Sequence, residues 1–92
     1  MNQVKRIQSL FNQFAMTIGQ PTDAVFNNET KRYNRQFLKL DFNSTYGGYR
    51  IDWVNKDTGE SFFNFSSRFS NKEMSAYLQG LIEGYQIKKA NL

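Results

Sequence analysis

The sequence predicts an α+β fold of order αβββα, in which a three-stranded antiparallel meander has helices packed on it. Three observations lead to this prediction: an amphipathic helical spacing at the N-terminus, alternating residues from Phe37 to Phe65, and a C-terminal segment with helix-capping signals. The chain has 92 residues, which is enough for one small hydrophobic core. We therefore expect a single domain over residues 1–92.

The N-terminal segment NQVKRIQSLFNQFAMTIG has the pattern of an amphipathic helix. Its apolar residues recur at intervals of three and four: Val4, Ile7, Leu10, Phe11, Phe14, Ala15 and Ile18. The helix should end at Gly19, because glycine favours a left-handed cap and Pro21 cannot continue the helix. The turn-rich residues that follow predict a connecting loop from Gln20 to about Arg32.

The next segment predicts three strands, whose register follows from matching side chains across two hairpins. The first ladder, closed by a loop over Asn43 to Gly48, would pair Phe42 with Tyr49, Asp41 with Arg50, Leu40 with Ile51, Lys39 with Asp52, Leu38 with Trp53 and Phe37 with Val54. The second, closed by a KDTG turn with a glycine bulge, would pair Lys56 with Glu60, Val54 with Phe62, Trp53 with Phe63, Asp52 with Asn64 and Ile51 with Phe65. Most of these pairs join two apolar side chains or two opposite charges, and a slip by one residue would lose that agreement.

This register gives the predicted sheet two different faces. One face is a core face that holds Leu38, Leu40, Phe42, Tyr49, Ile51, Trp53, Phe63 and Phe65. The other face holds charged rows and one apolar row, formed by Phe37, Val54 and Phe62. Either the N-terminal helix or the Gln20 to Arg32 loop covers this row, or the row is a patch for self-association or a partner.

The last helix is predicted from about Asn71 to Lys89. Ser70 to Glu73 forms a capping box, and Lys88 and Lys89 lie in the last turn, where the helix dipole favours cations. The apolar stripe is Met74, Tyr77, Leu78, Leu81, Ile82 and Tyr85. The small residues Ala76, Gly80 and Gly84 lie beside it and predict close contact with another helix, either the first helix of the same chain or a helix across a homodimer.

Composition excludes most catalytic chemistry. The chain has no cysteine and no histidine, and it contains no phosphate-binding loop, nucleophile elbow or metal-ligand motif. Asp41 and Asp52 each face a cation in the predicted ladder, so we interpret them as structural partners rather than as an acid and a base. We expect no catalytic, cofactor or metal site, no enzyme, no membrane span and a cytoplasmic location.

Basic residues suggest a nucleic-acid interface as one function. Lys31, Arg32 and Arg35 precede the first strand, while Arg68 and Lys72 flank the start of the last helix, where free backbone N–H groups attract anions. Tyr33 and Tyr46 are candidates for stacking on bases. The formal net charge of +4 agrees with an anionic partner and equally with ordinary solubility.

Two resemblances add to this interpretation. The αβββα order, with the lysine-containing start Asn71-Lys72-Glu73 to the last helix, is similar to the double-stranded RNA-binding domain, although that family has a lysine cluster at this place. The segments YGGYRI and RFSNKEMSAYLQGLIEGY look like those of small accessory proteins encoded by bacteriophages and prophages of low-GC bacteria. The second resemblance implies a protein that acts on host or phage macromolecules.

The sequence therefore predicts a small non-enzymatic accessory protein that acts through protein–protein contacts. A nucleic-acid-binding module is the alternative.

Overall fold

The computed structural model describes residues 3–64 and 67–90, apart from the side chains of residues 3 and 62–64. Its elements are α1 (Gln3–Thr17), β1 (Phe26–Asn27), β2 (Arg32–Tyr33), β3 (Phe37–Asn43), β4 (Gly48–Val54), β5 (Ser61–Asn64) and α2 (Asn71–Ala90). The α+β class is confirmed. The predicted order is incomplete, because the small hairpin β1–β2 lies inside the segment that was expected to be a loop.

The first helix ends as its sequence predicts. Gly19 has a φ of 71°, and its N–H donates to the carbonyl of Met16 over 3.1 Å. The N–H of Gln20 donates to the carbonyl of Ala15 over 2.9 Å. These two hydrogen bonds form a Schellman motif, which satisfies carbonyls that the helix end would otherwise leave unpaired.

The hairpin β1–β2 pairs Phe26 with Tyr33 and Asn27 with Arg32. Asn27 nucleates its turn, because its side-chain Oδ1 accepts the N–H groups of Glu29 and Thr30 at 2.8 and 3.1 Å. Strands of two residues have no detectable periodicity, which is why the sequence pattern missed them.

The larger sheet has the strand order β3–β4–β5, and all its pairs are antiparallel. The predicted register of β3 against β4 is confirmed from Phe37 opposite Val54 to Phe42 opposite Tyr49. In the second ladder, Trp53 opposite Phe63 and Asp52 opposite Asn64 are also confirmed.

Beyond Trp53 the prediction for the second ladder is wrong. Val54 pairs with Ser61 rather than with Phe62, and the register shifts between Trp53 and Val54. The predicted pair of Lys56 with Glu60 is replaced by a hydrogen bond from the N–H of Asn55 to the carbonyl of Glu60 at 2.9 Å. The cause is Asn55, whose Oδ1 accepts the N–H groups of Asp57 and Thr58 and so begins the turn one residue early. The predicted pair of Ile51 with Phe65 lies outside the described residues.

Both helices pack on the same face of the larger sheet. The buried core joins Ile7, Phe11, Phe14 and Ala15 of α1, Leu38, Tyr49 and Ile51 of the sheet, and Met74, Leu78 and Ile82 of α2. Phe42 was expected in this core but is 58% exposed, because it lies at the hairpin end of the sheet, where its ring packs on that of Tyr49 at 4.8 Å.

The segment before α2 is attached to the edge of β4. Tyr49 and Phe69 exchange two backbone hydrogen bonds of 2.8 Å. Gly48 has a φ of +123°, and a Cβ at this position would collide with the carbonyl of Phe69. The segment before α2 can therefore lie this close to β4 only because residue 48 is glycine.

The predicted capping box begins α2. The N–H of Ser70 donates to Glu73 Oε1 at 2.9 Å, and the N–H of Glu73 donates to Ser70 Oγ at 3.3 Å. These bonds, led by the one from the Ser70 backbone, lower the pKa of Glu73. None of the helices in the described residues is long and apolar enough to cross a bilayer.

Candidate functional site

An open groove runs between the two helices on the outside of the molecule. It has a volume of about 360 Å³ and is lined by Phe14 and Ile18 of α1 and by Gly80, Leu81, Gly84, Tyr85 and Lys88 of α2. We call it the helix groove. Its lining is largely apolar, and Lys88 is the charged residue in it.

The helix groove exists because α2 carries glycines where other residues would fill the space. Gly80 and Gly84 are exposed, and a Cβ added at either position would meet no atom within 4 Å. The prediction that α1 approaches this stripe closely is therefore wrong. The reason is that α1 packs against the side of α2 that bears Leu78 and Ile82, so the glycine side stays open.

Other apolar side chains are exposed near the ends of both helices. Met16 is 80% exposed near the end of α1, and Ile87 is 63% exposed near the end of α2. Ala76, the third member of the predicted stripe, is also exposed. The apolar lining of the groove itself is of the kind found at contact sites. The alternative expectation, a helix pair across a homodimer, stays a prediction.

The apolar row on the opposite face of the sheet has a neighbour within the chain. The ring of Phe37 lies 5.1 Å from that of Tyr33, and Val54 is 5% exposed. The N–H of Tyr33 donates to the carbonyl of Lys56 at 2.8 Å, which holds the hairpin β1–β2 beside this row. The side chain of Phe62 lies outside the description, so the partner patch of Phe37, Val54 and Phe62 stays a prediction.

Three of the five basic residues proposed for nucleic-acid contact have acidic partners. Arg35 pairs with Asp23, Arg32 lies 3.8 Å from Asp57, and Arg68 pairs with Asp41 at 2.6 Å. Lys31 and Lys72 are exposed and have no ion pair among the described residues.

These five residues also do not form one surface. Arg32 contacts the turn that follows β4, whereas Arg68 donates to the carbonyl of Gly48 at the start of β4, over 2.9 Å. A seven-residue strand separates these two points by about 20 Å. The cations therefore lie in two small groups rather than in the broad positive surface that phosphate-driven binding requires.

The ion pairs of the sheet differ from those expected. Asp41 pairs with Arg68 rather than with Arg50, and Arg50 pairs with Asp52 on its own strand. Arg50 Nε lies 2.7 Å from Asp52 Oδ1 as an ion pair, while Arg50 Nη2 donates a hydrogen bond to Asp52 Oδ2 at 3.2 Å. Asp52 is 4% exposed, and the adjacent guanidinium compensates for the burial of its charge. The sequence pattern of the strands could not predict the pairing of Asp41 with Arg68, because Arg68 lies outside the strands.

The two tyrosines proposed for base stacking have different environments. The ring of Tyr33 is flanked by those of Phe26 and Phe37, each at 5.1 Å. Tyr46 is 71% exposed at the tip of the β3–β4 hairpin. Of the two, only Tyr46 offers an open ring face.

No group of three or more metal-ligating side chains occurs in the described parts of the chain. No protein-family model matches the sequence, and no curated protein or solved structure matches it at a significant level. The helix groove is the candidate site with a mainly apolar lining. Sequence reasoning found its glycines but missed Phe14, Ile18 and Lys88, because their position depends on how α1 lies against α2.

Proposed function

We propose that this chain is a non-enzymatic accessory module that binds a protein partner through the helix groove. The three-stranded meander carries the two helices, and the helices together present the groove. This function agrees with the resemblance to small phage-encoded accessory proteins. We include a phage origin of the chain in the same proposal.

The observation that carries the proposal is the open space over Gly80 and Gly84. Glycine inside a helix costs up to about 1 kcal/mol relative to alanine. No backbone or side chain of the described residues uses the space that these glycines leave. A partner segment that packs against α2 would use it, because the missing Cβ atoms allow the two backbones to approach closely.

The apolar lining favours a protein segment over a polar ligand. Leu81 and Tyr85 line the groove beside Gly84, and Tyr85 is 40% exposed. Covering these side chains would bury apolar area at about 25 cal/mol per Å². Nucleic-acid binding through the five candidate cations is not the function we propose, because they are split between two ends of β4 and do not form one broad positive surface.

The proposal can be tested by affinity capture from extract of the cells that express the protein, with and without nuclease treatment. Gly84→Leu places a side chain in the groove and should remove the specific partner. Gln79→Leu adds the same side chain at an exposed position of α2 that does not line the groove, and it should retain the partner.

Two results of this experiment would contradict the proposal. One is the same set of captured proteins for wild type and Gly84→Leu. The other is that nuclease treatment abolishes capture by the wild type. Light scattering on the purified variants shows whether the partner is a second copy of the chain. In that case Gly84→Leu should have the mass of a monomer and Gln79→Leu the mass of a dimer.

A further inference from the structure

A second groove lies between the hairpin β1–β2 and the turn that follows β4, and it has a different chemistry. Its volume is about 370 Å³, and its polar lining consists of Asn27, Thr30, Arg32, Asn34, Lys56 and Asp57. We call it the hairpin groove. The hydrogen bond from the Tyr33 N–H to the Lys56 carbonyl, at 2.8 Å, ties its two walls together.

Two asparagines line the groove, and their side-chain amides can donate hydrogen bonds. Asn27 Oδ1 already accepts the N–H groups of Glu29 and Thr30, and Asn34 Oδ1 accepts the N–H of Val25 at 2.8 Å. The side-chain oxygens of both residues are thus used to build the loop. Asn27 Oδ1 accepts two hydrogen bonds and Asn34 Oδ1 accepts one, and each residue also carries an Nδ2 group whose N–H donors have no partner in these bonds.

The charged residues of the hairpin groove point to the same chemistry. Arg32 and Lys56 supply two cations, and Asp57 is the one carboxylate of the lining. Arg32 and Asp57 are 3.8 Å apart with side chains 64% and 52% exposed, which is a loose pair. Lys56 has no ion pair among the described residues.

We propose that the hairpin groove binds a phosphate group. Two amide donors, a hydroxyl, a guanidinium and an ammonium around one concavity suit the several oxygens of a phosphate. The rings of Phe26 and Phe37 flank Tyr33, so the groove recognises the anion rather than an aromatic base stacked on the tyrosine. This site is separate from the helix groove and does not depend on the proposed function.

The test is an NMR titration of the full chain with inorganic phosphate, against chloride at equal ionic strength. Saturable shifts should appear at the side-chain amides of Asn27 and Asn34 and at the backbone of Lys56. Asn34→Asp keeps the oxygen that accepts from Val25 but replaces the donor with a carboxylate oxygen. It should weaken phosphate binding by about tenfold or more, because a charge-assisted hydrogen bond is lost.

The matched control is Asn43→Asp, which makes the same charge change in a similar turn. Asn43 Oδ1 accepts the N–H groups of Thr45 and Tyr46 at the other hairpin, so the variant should fold and bind phosphate as the wild type does. Likewise Lys56→Gln should weaken binding, whereas Lys72→Gln should not. Absence of saturable shifts, or equal weakening by the groove and control variants, would overturn the proposal.

Displacement of the bound phosphate distinguishes its natural sources. A short single-stranded oligonucleotide is compared with and without a 5′-phosphate. Displacement by both forms supports the proposal and identifies a phosphodiester as the ligand. Displacement only by the phosphorylated form supports it with a phosphomonoester.

Discussion

Arg68 Nη2 donates a hydrogen bond to Asp41 Oδ2 over 2.6 Å, although the two residues are 27 positions apart in the chain. Arg68 Nη1 also donates to the carbonyl of Gly48 at 2.9 Å. One guanidinium therefore connects the segment that leads into α2 with both strands of the β3–β4 hairpin. Because the side chains of Arg68 and Asp41 are only 14% and 28% exposed, solvent screens this pair less than an ordinary surface pair.

The first prediction concerns the strength of this pair. Asp41→Ala and Arg68→Ala should each destabilise the fold by about 1–3 kcal/mol, as loss of a hydrogen bond between charged groups does. A double-mutant cycle by urea denaturation should give a coupling energy above about 0.5 kcal/mol. The same cycle between Asp41 and Arg50 serves as the control and should give less coupling. A larger coupling with Arg50 would show that Asp41 stabilises the fold through its neighbour in the ladder and not through Arg68.

The second prediction is an acid sensitivity that depends on Arg68. The hydrogen bond from Arg68 is the main cause that lowers the pKa of Asp41 below its ordinary value of 3.8, partial burial opposes this effect, and the nearby positive charges add to it. A lowered folded-state pKa gives stability that is present above the unfolded pKa and is lost as the pH falls through the folded pKa.

Urea denaturation of wild type and Arg68→Ala between about pH 5 and pH 2 measures this loss. The wild type should lose more stability than the variant over this window. Glu73, whose pKa is also lowered, contributes equally to both proteins and cancels in the comparison. Parallel pH profiles would show that Arg68 does not set the pKa of Asp41.

The third prediction concerns the crossing of the chain at Gly48. Gly47→Ala should cost about 1 kcal/mol, because Gly47 has a φ of +99° but no atom within 4 Å of an added Cβ. Gly48→Ala should cost at least twice as much, since it adds a collision with the Phe69 carbonyl to a similar backbone strain. Thermal or urea unfolding measures the difference. Equal losses would mean that Phe69 does not lie against β4 in solution.

The fourth prediction tests the aromatic contacts of the β1–β2 hairpin. Tyr33→Ala removes a ring that packs on Phe26 and Phe37 and should cost about 1–3 kcal/mol. Tyr46→Ala removes the same side chain from an exposed loop and should change stability by less than about 0.5 kcal/mol. If both variants lose the same stability, Tyr33 does not cover Phe37.

Periodicity accounts for what could be predicted from the sequence. The two helices and the register from Phe37 opposite Val54 follow from spacings of three to four and of two, which are local properties of the chain. The early turn at Asn55 was missed because its side chain competes with the ladder for backbone N–H groups.

Features that depend on tertiary packing could not be predicted in this way. Arg68 reaches Asp41 only after the chain has folded back past Tyr49. The spacing of Gly80 and Gly84 was visible in the sequence, but whether α1 covers them depends on the angle at which the two helices meet. The sequence therefore identified part of the helix groove without indicating that it is open.

The most direct test of this account is the stability of the Gly80→Ala/Gly84→Ala double variant. Both positions lie inside α2, are exposed and leave open space around an added Cβ. The two alanines should therefore stabilise the isolated protein by about 1–2 kcal/mol in urea denaturation, through helix propensity alone. A loss of stability would contradict the account, because it would mean that the chain itself packs against these glycines and that the helix groove is not open for a partner.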